Sequence, residues 1–153
     1  MPSDSQLQFK RPESILLVIH TLTHQVLLMK RIRAPAYWQS VAGSIRWSGE
    51  TALEAAVREL REETGISINA SKIKDWQRRF RFTIPPSMRQ RFEPGVTRNL
   101  EHVYSLCLPR PAPVVLKPDE HSAYCWVDIK MADSMVWSWT NREAIRMVRE
   151  MRV

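Results

Sequence analysis

Apolar and polar positions divide this chain into short runs of two different periods. Residues 1–9 form a polar lead-in. Ser14 to Ile19 and Val26 to Met29 are apolar runs of strand length, and the polar stretch Thr21 to His24 between them predicts a hairpin. Trp38 to Ala42 is a third strand candidate, ended by Gly43. From Glu50 to Glu63 the period lengthens. Leu53, Ala56, Val57 and Leu60 follow i, i+3, i+4, i+7, and Gly65 supplies a stop, so this segment is predicted helical. Ile73 to Phe82, Val103 to Leu108 and Ala123 to Val127 read as further strands, the first two split by a loop carrying Pro85-Pro86 and Pro94-Gly95. The tail reads as a helix, with Thr140-Asn141-Arg142-Glu143 as a capping box and Ile145, Val148 and Met151 as its buried side. This order of elements predicts an α+β fold, a mixed sheet with helices packed on it.

Composition narrows the class. A chain of 153 residues fits one domain spanning 1–153. With 44% hydrophobic and 25% charged residues it is ordinary globular material. Lys and Arg number 23 against 16 Asp and Glu, a formal charge of +7, and 17 of the cations are Arg. Such an excess calls for an anionic partner: nucleic acid, a membrane surface or a small phosphorylated compound. The N-terminal residues lack the pattern of a secretory signal, and no apolar run reaches membrane-spanning length. The expectation is a cytoplasmic protein with no membrane association, in which Cys107 and Cys125 are reduced core thiols.

The predicted helix carries the chemistry. Glu59 and Glu63 stack one turn apart at the border of its apolar stripe, with Glu62 beside them. On the other side Glu50, Glu54 and Arg58 follow i, i+4, i+8, so Arg58 is placed to neutralise that row. Like charges one turn apart repel, and in a basic protein a tight acidic cluster fits either a solvated helix face or a hard divalent cation, Mg²⁺ or Mn²⁺. His20, His24, His102 and His121 show no metal-binding spacing.

The run from Glu50 through Arg58-Glu59-Leu60-Arg61-Glu62-Glu63-Thr64-Gly65-Ile66 resembles the Nudix box, G-x5-E-x7-R-E-U-x-E-E-x-G-U with U aliphatic. One departure stands: six residues, not five, separate Gly43 from Glu50. The resemblance extends to one branch of that family, the dihydroneopterin triphosphate (dATP) pyrophosphohydrolases. Its carriers are Lys10-Arg11-Pro12, Val26 to Arg31, Tyr37 to Gly43, Pro94 to Asn99, Glu120-His121 and Trp137 to Arg142. Where that branch tends to have Thr before the box glycine, this chain has Ala42.

The resemblance implies a Nudix-like mixed sheet sandwiched between helices (α/β/α). It implies Mg²⁺, or Mn²⁺, on Glu59, Glu63 and Glu120. It also implies substrate contacts from Lys10, Arg31, Phe82, Thr83, Ile84, Pro85 and Ser138, and hydrolysis of a small-molecule triphosphate to a monophosphate and pyrophosphate. Glu62 and Glu120 both remain open as the base that activates water. Another nucleoside diphosphate derivative is the alternative substrate.

Residues 78–98 hold six arginines against Glu93 alone, interleaved with Phe80, Phe82 and Phe92. Basic residues with aromatics also bind single-stranded nucleic acid, so an oligonucleotide-binding module is the rival class. The other readings are polyphosphate steering and a charged strand edge that discourages pairing. No feature of the sequence specifies an oligomeric state.

Overall fold

The computed structural model describes residues 2–151, so Met1 of the predicted lead-in lies outside the described residues. The elements are α1 (Asp4–Leu7), β1 (Glu13–Thr21), β2 (Gln25–Arg31), β3 (Trp38–Gln39), β4 (Val41–Ser44), α2 (Ala52–Thr64), β5 (Ile73–Thr83), β6 (Arg98–Leu108), β7 (His121–Asp128), α3 (Ile129–Met135) and α4 (Trp139–Met151).

β1 organises the sheet. One edge runs parallel to β6 over its whole length. The other edge is divided, with β2 pairing at His20 and β4 at Ser14 to Leu17, both antiparallel. β2 carries β7 and β3, and β5 lies at the far edge beyond β6. Because side chains alternate along a strand, β1 feeds two cores. Ile15, Leu17 and Ile19 pack under Ala55, Ala56 and Leu60 of α2, whereas Leu16 and Val18 pack under Ala144, Ile145 and Val148 of α4 with Ile129 and Ala132 of α3. The expected α/β/α sandwich is what forms. Among the described residues no helix is long and apolar enough to cross a membrane.

Several sequence expectations are corrected. The lead-in contains the single helical turn α1, closed by a capping box between Ser3 and Gln6. The strand expected over Trp38 to Ala42 divides at Ser40, whose amide is taken by the Asn141 side chain at 2.9 Å, and it continues past Gly43 to Ser44. The proline-bearing loop holds a 3-10 segment, Pro86–Arg91, and β6 begins at Arg98 rather than Val103. α3 was not anticipated.

The capping bond of α4 comes from Ser138, whose hydroxyl accepts from the Asn141 amide at 3.4 Å. Thr140 is therefore buried inside the helix instead of starting it, and Met151 is 48% exposed. Cys107, near the end of β6, is also exposed rather than in the core; neither cysteine is in a disulfide.

Candidate active site

α2 is cut to length by its ends. Thr51 is extended and exchanges bonds with Glu54, its hydroxyl accepting from the Glu54 amide at 3.1 Å while the Glu54 carboxylate accepts from the Thr51 amide at 3.0 Å. Gly65 closes the helix in the left-handed region at φ 75°. Glu50 thus lies outside the helix, and the sequence expectation about Arg58 changes with it. Arg58 donates to Glu50 at 2.7 and 2.9 Å, to Glu59 at 2.7 Å and to Glu62 at 3.3 Å, while Glu54 belongs to the cap. Its remaining bond, to the Ser44 carbonyl at 3.0 Å, ties the end of β4 to the helix. The Arg58 guanidinium holds the Glu50 carboxyl below the usual range.

Glu63 sits at the end of this network, 2% exposed, with its carboxylate accepting from the Ala42 amide at 3.2 Å. Burial pushes its pKa well up, and the nearby Glu59 and Glu120 carboxylates push in the same direction. Glu59 is raised too, by burial, against the pull of Arg58. Glu120 arrives from the turn before β7, where its carbonyl takes the Ile32 amide at 3.0 Å and Lys117 lies 3.2 Å from its carboxylate. Ligand atoms of Glu63, Glu120 and His121 all fall within 4.8 Å of one another.

This is a fit for a hard cation: the buried Glu63 carboxylate is crowded by Glu59 and by the exposed Glu120, and each raises the cost of its charge. Gly43 adds to it. A Cβ there would meet the Glu59 carboxylate, so a larger residue at this position would displace that carboxylate.

His121 is the residue that sequence spacing missed. It is 2% exposed, its Nε2 lies 2.9 Å from Gln39 Nε2, and its Nδ1 has no hydrogen-bond partner among the described residues. Burial lowers its pKa, keeping the ring neutral. It lies 58 positions from Glu63, and spacing arguments only reach neighbours on one element. The Glu120-His121 pair was the available signal.

A cavity of about 230 Å³ is lined by Arg31, Arg33, Tyr37, Pro85, Arg91 and Trp137 among others. Arg31 donates to the Tyr37 hydroxyl and lies over the same ring, 4.7 Å from its centroid. Trp137 stacks on Tyr37 with centroids 4.9 Å apart and planes at 19°. Trp137 is 53% exposed and Trp139 47%, so neither is a core aromatic, and Trp137 is the one that faces the cavity.

Of the residues implied as substrate contacts, Arg31 and Pro85 line this space. Lys10 is exposed and joined to it through its amide on the Arg91 carbonyl at 2.9 Å. Phe82, Thr83, Ile84 and Ser138 are adjacent but outside the lining; Ile84 is buried, and Ser138 lies 2.8 Å from the Thr140 hydroxyl. The arginine-rich segment splits. Arg78, Arg79 and Arg81 are exposed on the edge strand β5, Arg89 donates to the Ile84 carbonyl at 2.9 Å, and Arg91 reaches the cavity.

Comparison with known proteins agrees with this geometry. The NUDIX domain model matches residues 10–148. The chain is 44% identical over 140 residues to the dihydroneopterin triphosphate diphosphatase of Escherichia coli K12, covering 90% of this chain and 91% of that protein. It is 37% identical over 143 residues to the enzyme of the same name from Haemophilus influenzae, covering 92% and 89%. The solved structure of the E. coli dihydroneopterin triphosphate pyrophosphohydrolase superposes with a TM-score of 0.84 at 44% identity, over 91% of this chain and 95% of that one. The fold, the acidic end of α2 and the relatives agree: this chain belongs to the Nudix family.

Proposed function

We propose that this chain, acting as one unit over residues 1–153, hydrolyses dihydroneopterin triphosphate to dihydroneopterin monophosphate and pyrophosphate, and accepts dATP as a further substrate. The observation that carries this reading is the convergence of buried Glu63 and exposed Glu120 with His121 within 4.8 Å, in a chain 44% identical to an enzyme of that name. Glu59, Glu63 and Glu120 would hold Mg²⁺. When bound, such an ion would supply positive charge against the negative charge of the phosphates and promote deprotonation of the attacking water.

The protein's own residues do the rest. Arg31 and Arg91 receive the phosphate chain, with Lys10 as a mobile point charge at its rim. Trp137 and Pro85 give the same cavity flat apolar walls. Water attacks phosphorus, the α–β anhydride bond breaks with its electron pair leaving on pyrophosphate, and the water proton passes to Glu62 or Glu120. No covalent protein nucleophile is required.

The test is pyrophosphate release from dihydroneopterin triphosphate and dATP with and without Mg²⁺. Release that depends on the metal, and its loss in Glu63→Gln, supports the reading. Wild-type activity in Glu63→Gln overturns the metal assignment. Oligonucleotide binding with a steep salt dependence and no hydrolysis puts the chain in the rival class.

A further inference from the structure

Glu101 is a second buried carboxylate that the hydrolytic machinery leaves unused. It sits on β6 in a cross-strand row with Ser14 of β1 and Phe80 of β5, on the sheet face covered by α4. It is 6% exposed, and its Oε1 has no hydrogen-bond partner among the described residues. Burial pushes the carboxyl up to about 7, and the neighbouring Thr140 hydroxyl offsets this only in part. No ion pair involving Glu101 occurs among the described residues. With Thr140 serving the carboxylate, Oε1 is a buried acceptor without a donor; that costs the fold stability and needs an explanation, a bound ligand among them.

The surroundings indicate which ligand. Thr140 leads to Ser138, hydroxyl to hydroxyl at 2.8 Å. Two positions before Glu101, Asn99 donates to Ser14 at 2.8 Å and stands opposite Phe82. Trp139 lies over Phe80 with centroids 5.5 Å apart. Glu101 therefore lies under the two stretches, around Phe82 and around Ser138, that resemblance assigns to the substrate, in an aromatic and hydroxyl setting suited to a flat polar ring.

We propose that Glu101 reads the substrate's ring, its carboxylate accepting two hydrogen bonds from an adjacent ring N–H and exocyclic amino group. This rests on the hydrolase reading above. Such a donor–donor edge belongs to 2-amino-4-oxo pyrimidine rings, as in pterin and guanine. Adenine offers one donor and one lone pair, which a carboxylate matches only once and a glutamine amide matches twice.

The experiment compares wild type with Glu101→Gln on dihydroneopterin triphosphate, dGTP and dATP, alongside fluorescence titration with neopterin monophosphate. Glu101→Gln is expected to lower kcat/KM at least about tenfold for the first two substrates, chiefly through KM, and to leave dATP within about threefold. Neopterin monophosphate binding should weaken about tenfold, and thermal stability at pH 8 should rise because the orphaned charge is gone. An equal loss on all three substrates with lower stability, or no change in neopterin monophosphate binding, overturns the inference. Absence of hydrolysis in wild type together with Glu101-dependent pterin binding would instead overturn the hydrolase reading and leave this one standing.

Discussion

Glu63 and Glu101 are buried carboxylates on opposite faces of the same sheet, and they are strained in different ways. Glu63 has a backbone donor in Ala42 and is crowded by Glu59 and Glu120, so its trouble is excess negative charge. Glu101 has no charged neighbour among the causes of its shift, so its trouble is desolvation with a missing donor. Like-charge crowding calls for a cation; a lone orphaned acceptor calls for N–H groups. One chain thus separates the chemistry of a triphosphate from recognition of its ring.

That contrast can be broken experimentally. Glu63→Gln should lower hydrolysis at least about 100-fold at saturating Mg²⁺, measured by pyrophosphate release, with unchanged circular dichroism. Mg²⁺ should raise the melting temperature of wild type and of Glu101→Gln, and Glu63→Gln should abolish that rise. Gly43→Ala pushes the Glu59 carboxylate aside, and activity should fall about tenfold with less than about 1 kcal/mol lost in urea unfolding.

The pH dependence carries a definite sign. A carboxyl whose folded pKa is raised binds more protons folded than unfolded, so metal-free stability falls as pH climbs from the ordinary value of 4.5 through about 7 for Glu101. Urea unfolding in chelator at pH 5 and pH 8 should show that fall, and Glu101→Gln should flatten part of it. The smallest effect is expected at Arg79, exposed on the edge strand. Arg79→Gln should change stability by no more than about 0.5 kcal/mol and hydrolysis by less than about twofold. A larger loss would make the β5 edge part of substrate capture.

Much of the fold was readable because it depends on local order. The unbroken apolar run Ile15 to Ile19 marks a strand buried on both faces, and the period of Leu53 to Leu60 marks the buried side of a helix; the strand feeds both cores and the helix one. Ends were harder. Helix α2 starts at Ala52 because Thr51, not Glu50, makes the reciprocal cap, and α4 starts at Trp139 because Ser138 takes the Asn141 amide. Both choices are competitions between neighbouring polar residues that periodicity does not resolve.

The sequence by itself determined the acidic end of α2, since Glu59, Glu62 and Glu63 are local neighbours whose spacing is set by the helix. It also carried the family resemblance and the basic excess. Only the tertiary structure decided that Glu63 meets Glu120 and His121, that Arg58 serves Glu59 and Glu62 as well as Glu50, and that one oxygen of Glu101 is left without a donor. Those outcomes depend on strand pairing between distant segments and on which side chains lose water. Neither is written in the spacing of residues along one element.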